Sequence, residues 1–397
     1  MAARLNSPEV FSGSDCPTST SSSSTTRCVA EGALSLPELF GREYTRSELN
    51  QRVGRLDQVA GVSPIEFDDG RARGVRAFDV RSGGGLRFTS VADRALDVCS
   101  LEFRGIPLVW HGPGGVAAPA YYEPTDDSFD RNFFGGLLTT CGLNNFGPAG
   151  HDTHGNFGVH GRVNHLPAEN LATRTVWEGD RCTFEISGTI SEAQMFGEDL
   201  SLHRTLCVEL GANRLRMHDV VENHGGMRRP HMLLYHCNMG FPLLDAGSQL
   251  EVTHRSMRPR DEQAARGMDD WNRGGTPDPL FAEQVFVHEP LACADGYARA
   301  IMLNRSLDGG RGMALAIAYD PIALPALFTW RMLGVKTCVM GIEPANCPTI
   351  EGRIEAGKRG TLPFLEPGER RRYDLQFEVL GGAAAIDREL DMLYQAR

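Results

Sequence analysis

The chain has 397 residues, 41% of them hydrophobic and 23% charged, so there is ample apolar material for a large core. A formal charge of −11 leaves no basic excess to meet a phosphate backbone; this argues against nucleic acid as a partner and favours a neutral or weakly charged small molecule. No segment has the ~18 apolar residues of a membrane-spanning helix, and MAARLNSPEVFSG lacks the basic-then-apolar run of a secretory leader, so a cytoplasmic protein without membrane contact is expected.

Residues 12–27 (SGSDCPTSTSSSSTTR) offer almost nothing to bury, and residues 1–27 are expected to form a disordered, dispensable tail. The rest, residues 28–397, shows no fixed-period repeat and no long linker, and reads as one domain. Ten cysteines (16, 28, 99, 141, 182, 207, 237, 293, 338 and 347) fall singly with no C-x-x-C pair, as expected of buried thiols in a reducing compartment.

Thr45-Arg-Ser-Glu48 is a capping-box pattern that predicts a short helix through about Val53. Cys182, Phe184, Ile186 and Ile190 alternate with polar residues, the period-2 signature of a half-buried strand. Leu206, Val208 and Leu210 lead into Gly-Ala-Asn, and Leu215, Met217 and Val221 follow in phase, which predicts a hairpin. Met313–Tyr319 is a continuous apolar run suited to an inner strand. Tyr373, Leu375, Phe377 and Val379 alternate again, and Ile386, Leu390 and Leu393 predict a final helix from an Asp387 start. With 45 Gly and 22 Pro supplying turns, the expected fold is all-β: a large antiparallel sandwich with few helices.

Three segments carry polar residues that a sandwich has no structural need for. In GNFGVHGRVNHLPAEN, glycines flank His160 and suit a loop that presents an imidazole. In RRPHMLLYHCNMGFPLLD, His236 falls on the apolar face of a strand with Met232 and Leu234, where a buried ring needs a partner or a ligand. In VKTCVMGIEPANCP, an apolar strand is expected to end at Glu343, with Pro344 breaking the ladder. A desolvated carboxyl there would be raised toward the range of a working base, unless it pairs with an arginine such as Arg331.

These segments, with DRALDVCSLEFRGIPLVW, FFGGLLTTCGLNNFG, VVENHGG and EQVFVH, resemble the galactose mutarotase-like aldose 1-epimerase superfamily and, within it, the DUF4432 proteins. The resemblance runs from about Gly54 to Leu380. It implies a β-supersandwich that interconverts sugar anomers without cofactor or metal. His236 matches the histidine that gives a proton to the ring oxygen, Glu343 the base that takes the anomeric hydroxyl proton, and His160 a histidine that hydrogen-bonds the sugar. Arg94, Asp97, Asn144, Asn145, Arg162, Asn223 and Asn238 are further pocket candidates, with Trp330 a stacking face. Asp269, Asp270 and Glu283 are candidates for contacting distal hydroxyls, and Arg131-Asn-Phe-Phe stands where the phosphosugar branch keeps an arginine directly before its Gly-Gly element. Two alternatives remain: a metal-dependent sugar isomerase using His151, Asp152, His154, His160 and His165, and a sugar sensor that binds without turnover.

Overall fold

The computed structural model describes residues 36–123 and 128–395, so the predicted tail at 1–27 lies outside the described residues. Of the described residues 45% are in strands and 13% in helices, and the sheets are antiparallel. An eight-stranded sheet runs in the order Glu169–Glu178, Arg181–Ala193, Asp199–Glu209, Arg214–Asn223, Arg370–Gly381, Met313–Tyr319, Ala298–Asn304, Gln249–Val252. The predicted hairpin pairs Leu206 with Met217 and Val208 with Leu215. The strand Arg181–Ala193 alternates in burial along its length, as its sequence does. Met313–Tyr319 is apolar throughout because both its faces are covered: Leu315 and Ile317 join the main core, while Ala314 and Ala316 lie under Ile386, Leu390 and Leu393 of the final helix.

A six-stranded sheet, His254–Pro259, Gln284–Pro290, Ala326–Leu333, Cys338–Ala345, Leu234–Met239, Thr139–Cys141, supplies the second layer. One of its faces sends Leu233, Tyr235, Cys237, Leu327, Met340 and Ile342 into the main core. The other sends Leu234, Val285, Val287, Phe328 and Ala345 into a separate apolar cluster with Phe129, Phe133 and Phe146. A five-stranded sheet from Gly61–Glu66 to Ile106–Pro107 completes the frame. A fully buried ionic hub ties the three sheets. Arg204 reaches Asp97 and Asp219, each at 2.7 Å, and the Tyr235 hydroxyl donates to Asp219 at 2.9 Å.

The capping box at Thr45 and Glu48 is present in both directions, but its helix, Arg46–Asn50, stops short of Val53 because the amides of Arg52 and Val53 both return to the Leu49 carbonyl. The last helix, Ala383–Tyr394, begins before Asp387: Gly382, at φ 90°, turns the chain out of Arg370–Gly381 straight into it. Among the described residues seven cysteines are free thiols, six of them buried, whereas Cys207 is disulfide-bonded. Spacing along the chain gives no warning of that, since a disulfide can join residues far apart in sequence. No helix among the described residues is long and apolar enough to cross a membrane.

Candidate functional site

The strand carrying Glu343 continues through Pro344 to Ala345 and does not end where the sequence reading placed its break. Its ladder with Leu234–Met239 bonds at Cys237↔Ile342 and resumes at Leu234↔Ala345, skipping the two positions between. Pro344, which has no amide proton to give, sits in that gap. The same register sets His236 directly opposite Glu343, and residues opposite one another on antiparallel strands share a face. Two steps along that face lies Gly341, where an added Cβ would stand 2.5 Å from Glu343 Oε1, 3.0 Å from Trp330 Cβ and 3.3 Å from His236 Cε1. The bare glycine leaves room for the three side chains to converge.

Above this face is a cavity of about 480 Å³, lined by Phe129, Phe133, His160, His236, Arg260, Glu283, Trp330 and Glu343 among others. Small-molecule sites run to about 300–1,000 Å³. His236 Nε2 stands 3.2 Å from Glu343 Oε1. The contact is close but not aligned as a hydrogen bond: among the described residues, Glu343 Oε1 and His236 Nδ1 have no hydrogen-bond partner. Burial pushes the Glu343 carboxyl up to about 8, with Glu283 adding to the rise and Arg260 opposing it. Burial pulls His236 down to about 3, with His160 adding to the effect and Asn238 opposing it. Both groups are therefore neutral near pH 7 and share one transferable carboxyl proton.

His160 reaches the cavity from its loop in a left-handed conformation, φ 54°, followed by Gly161 at φ 74°. Its ring lies tilted against Phe129, 4.6 Å away, and meets His236 edge-on at 6.1 Å. The Gly147 amide donates to Nδ1 at 3.3 Å, which leaves the proton of the neutral ring on Nε2. Burial lowers His160 to about 4, against the pull of Glu283, so the ring is a neutral donor. Trp330 packs edge-on against His236 at 5.5 Å and donates its indole proton to Glu283 at 3.0 Å.

A family model for a domain of unknown function, DUF4432, matches residues 72–379. The chain belongs to the DUF4432 family. A candidate aldose 1-epimerase from Klebsiella pneumoniae is 23% identical to this DUF4432 chain, covers 86% of it and 90% of its own length, and superposes with a TM-score of 0.79. A galactose mutarotase-like protein from Clostridium acetobutylicum (11% identity, 82% and 99% coverage, TM-score 0.57) and a galactose 1-epimerase from Lactobacillus acidophilus (12%, 82% and 100%, 0.51) share the fold. No curated protein matches the DUF4432 chain in sequence.

Of the residues singled out in the sequence, the structure brings His160, His236, Trp330, Glu283 and Glu343 together around the cavity. The others named do not line it. Arg94 is buried and donates to the carbonyls of Asn164, Ala117 and Asn132, which anchors the chain just before Phe133. Asn145 donates to Gly158 and Pro148 and so holds the loop that bears His160. Asn144 bonds Glu192 and Glu198; Asn238 bonds the carbonyls of Gly136 and His236; Asn223 holds a loop through Met227 and Leu365. Arg162 is exposed and lies over Tyr122, and Asp269 and Asp270 are exposed. Asp97 belongs to the ionic hub, and Arg331 donates to Gln284 and to the Arg273 carbonyl, which leaves Glu343 without an arginine ion-pair partner among the described residues. The residues of the metal alternative diverge: His151 bonds Asn156, Arg353 holds Asp152, and His165 packs on Tyr122. Among the described residues no group of three or more His, Cys, Asp or Glu converges as a metal site. Arg260, Phe129 and Phe133 were missed. Their one sequence signal is that Phe133 falls in the motif around Gly135-Gly136.

Proposed function

We propose that this protein binds a reducing sugar and interconverts its anomers as an aldose 1-epimerase. The observation that carries the reading is the cross-strand pair of His236 and Glu343, 3.2 Å apart and buried, with unpartnered polar atoms in a cavity beside a neutral histidine donor and an indole. Passing the carboxyl proton of Glu343 to His236 yields a carboxylate and an imidazolium, a base and an acid side by side. A sugar whose C1 hydroxyl meets Glu343 and whose ring oxygen meets His236 favours that charged form by supplying the missing hydrogen bonds.

Ring opening then follows in one balanced step. Glu343 takes the C1 hydroxyl proton, the released electron pair forms the C1 carbonyl, the C1–O5 bond breaks, and O5 takes the proton of His236. Rotation about C1–C2 and the reverse transfers close the ring on the other face and restore both residues. His160 Nε2 donates to a hydroxyl, and the mixed apolar and aromatic wall matches the C–H face of a pyranose. The step uses no metal or cofactor.

Magnetisation-transfer NMR on equilibrated aldoses tests the reading, because it reports binding and anomer exchange together. Exchange above the uncatalysed rate, unchanged after dialysis against a chelator, is the expected result. Binding without faster exchange would make the protein a sugar sensor, and a loss of rate restored by zinc or manganese would make it a metal-dependent isomerase.

A further inference from the structure

Arg260 is the one cationic side chain lining the cavity among the described residues, while Asp130, Glu283, Glu343 and Glu351 are its acidic ones. Two of the three donor nitrogens of that arginine are already taken. Its Nη2 is held by Glu283 Oε1 at 2.9 Å and its Nε by Asp261 Oδ2 at 2.8 Å. Glu283 uses its second oxygen on the indole N–H of Trp330, so one carboxylate fixes both the cation and the aromatic wall. Even with Glu343 protonated, the lining side chains carry more negative than positive charge, with Glu351 paired to Arg359 outside the lining.

We propose that Glu283 sets the charge selectivity of the cavity: by occupying Arg260 it restricts the site to uncharged sugars and turns away those bearing a carboxylate. The inference rests on the sugar-binding reading above and adds to it the class of sugar and the residue that selects it. To make a two-nitrogen contact with Arg260, an anionic sugar would have to displace Glu283 while facing the remaining carboxylates. With Glu283 replaced by glutamine, the amide oxygen can still accept from Trp330, but Arg260 Nη2 loses its anion and becomes available for a fork-type contact.

The test compares matched pairs, D-glucose with D-glucuronate, D-galactose with D-galacturonate and D-mannose with D-mannuronate, by saturation-transfer NMR titration of the wild-type chain, Glu283→Gln and Glu283→Gln/Arg260→Gln. The wild type should favour the neutral member. Glu283→Gln should shift the neutral-to-anionic affinity ratio about tenfold toward the uronate, the size of one charge-assisted hydrogen bond, and the double variant should lose the gain. A wild type that binds uronates as well as neutral sugars, or a ratio unmoved by Glu283→Gln, overturns the inference while leaving sugar binding intact. No binding of any member overturns the sugar-binding reading and this one with it. If Glu283→Gln does not fold, the wild-type ratio decides: raising salt from ~0.02 M to ~0.5 M should weaken discrimination against the uronate by screening, and a salt-independent ratio counts against the proposal.

Discussion

Replacing Glu343 with glutamine separates the cost of burying this carboxyl from its chemistry. Burial lifts the group from its ordinary 4.5 to about 8. Between those values the folded chain keeps a proton that the unfolded chain has released, so stability falls as pH rises. The contribution is fully present below pH 4.5 and lost by about pH 8. At ~1.4 kcal/mol per pH unit the whole span is about 5 kcal/mol. The amide has the same shape and does not ionise, so Glu343→Gln should gain on the wild type by ~1.4 kcal/mol for each pH unit from about pH 5 to about pH 8. His236, lowered from 6.5 to about 3, has the opposite sign: its stability is present above pH 6.5 and lost as pH falls toward 3. It is common to both chains and cancels in the difference. Urea unfolding of the two proteins at pH 5, 6, 7 and 8 measures the slope. A stability difference that stays flat across this range would mean that the carboxyl is already ionised at pH 5 and that burial does not hold it neutral.

Glu343→Gln and His236→Asn should each slow anomer exchange about 100-fold or more with the fold retained, which rate measurement alongside thermal melting would check; near wild-type turnover in either would remove that residue from the acid–base pair. Gly341→Ala should cost about 100-fold in exchange, since the new methyl would press on Glu343 Oε1 from 2.5 Å and displacements of about 1 Å suffice for such losses; undiminished exchange would mean that the glycine does not make room for the pair. Arg204→Met leaves Asp97 and Asp219 buried without their cation and should destabilise the chain by about 3–5 kcal/mol in denaturant unfolding, a loss below about 1 kcal/mol being incompatible with the ionic hub.

The strands from Arg181 to Asn223 and from Arg370 to Gly381 were legible in the sequence because each has one buried and one solvated face, and period-2 alternation records that asymmetry residue by residue. The six-stranded sheet was harder to read. Leu234–Met239 is buried on both faces, so its apolar run says that it is interior without saying which side meets a ligand. His160, His236 and Glu343 were marked in advance by polar residues in apolar or glycine-rich settings and by their family-like contexts. Local sequence could not tell a side chain that lines the cavity from one that braces its walls. Arg94 and Asn145 stand in motifs as distinctive as that of His236, yet their hydrogen bonds turn them to backbone carbonyls. Arg260 and Glu283 meet in the cavity because neighbouring strands bring residues 23 positions apart within 2.9 Å. Hydrophobic periodicity within each segment thus determined the sandwich, because burial acts on each strand locally. Strand register decided which side chains meet at the candidate site, because the distance from His236 to Glu343 is a property of the ladder between two segments and of the bare glycine beside them.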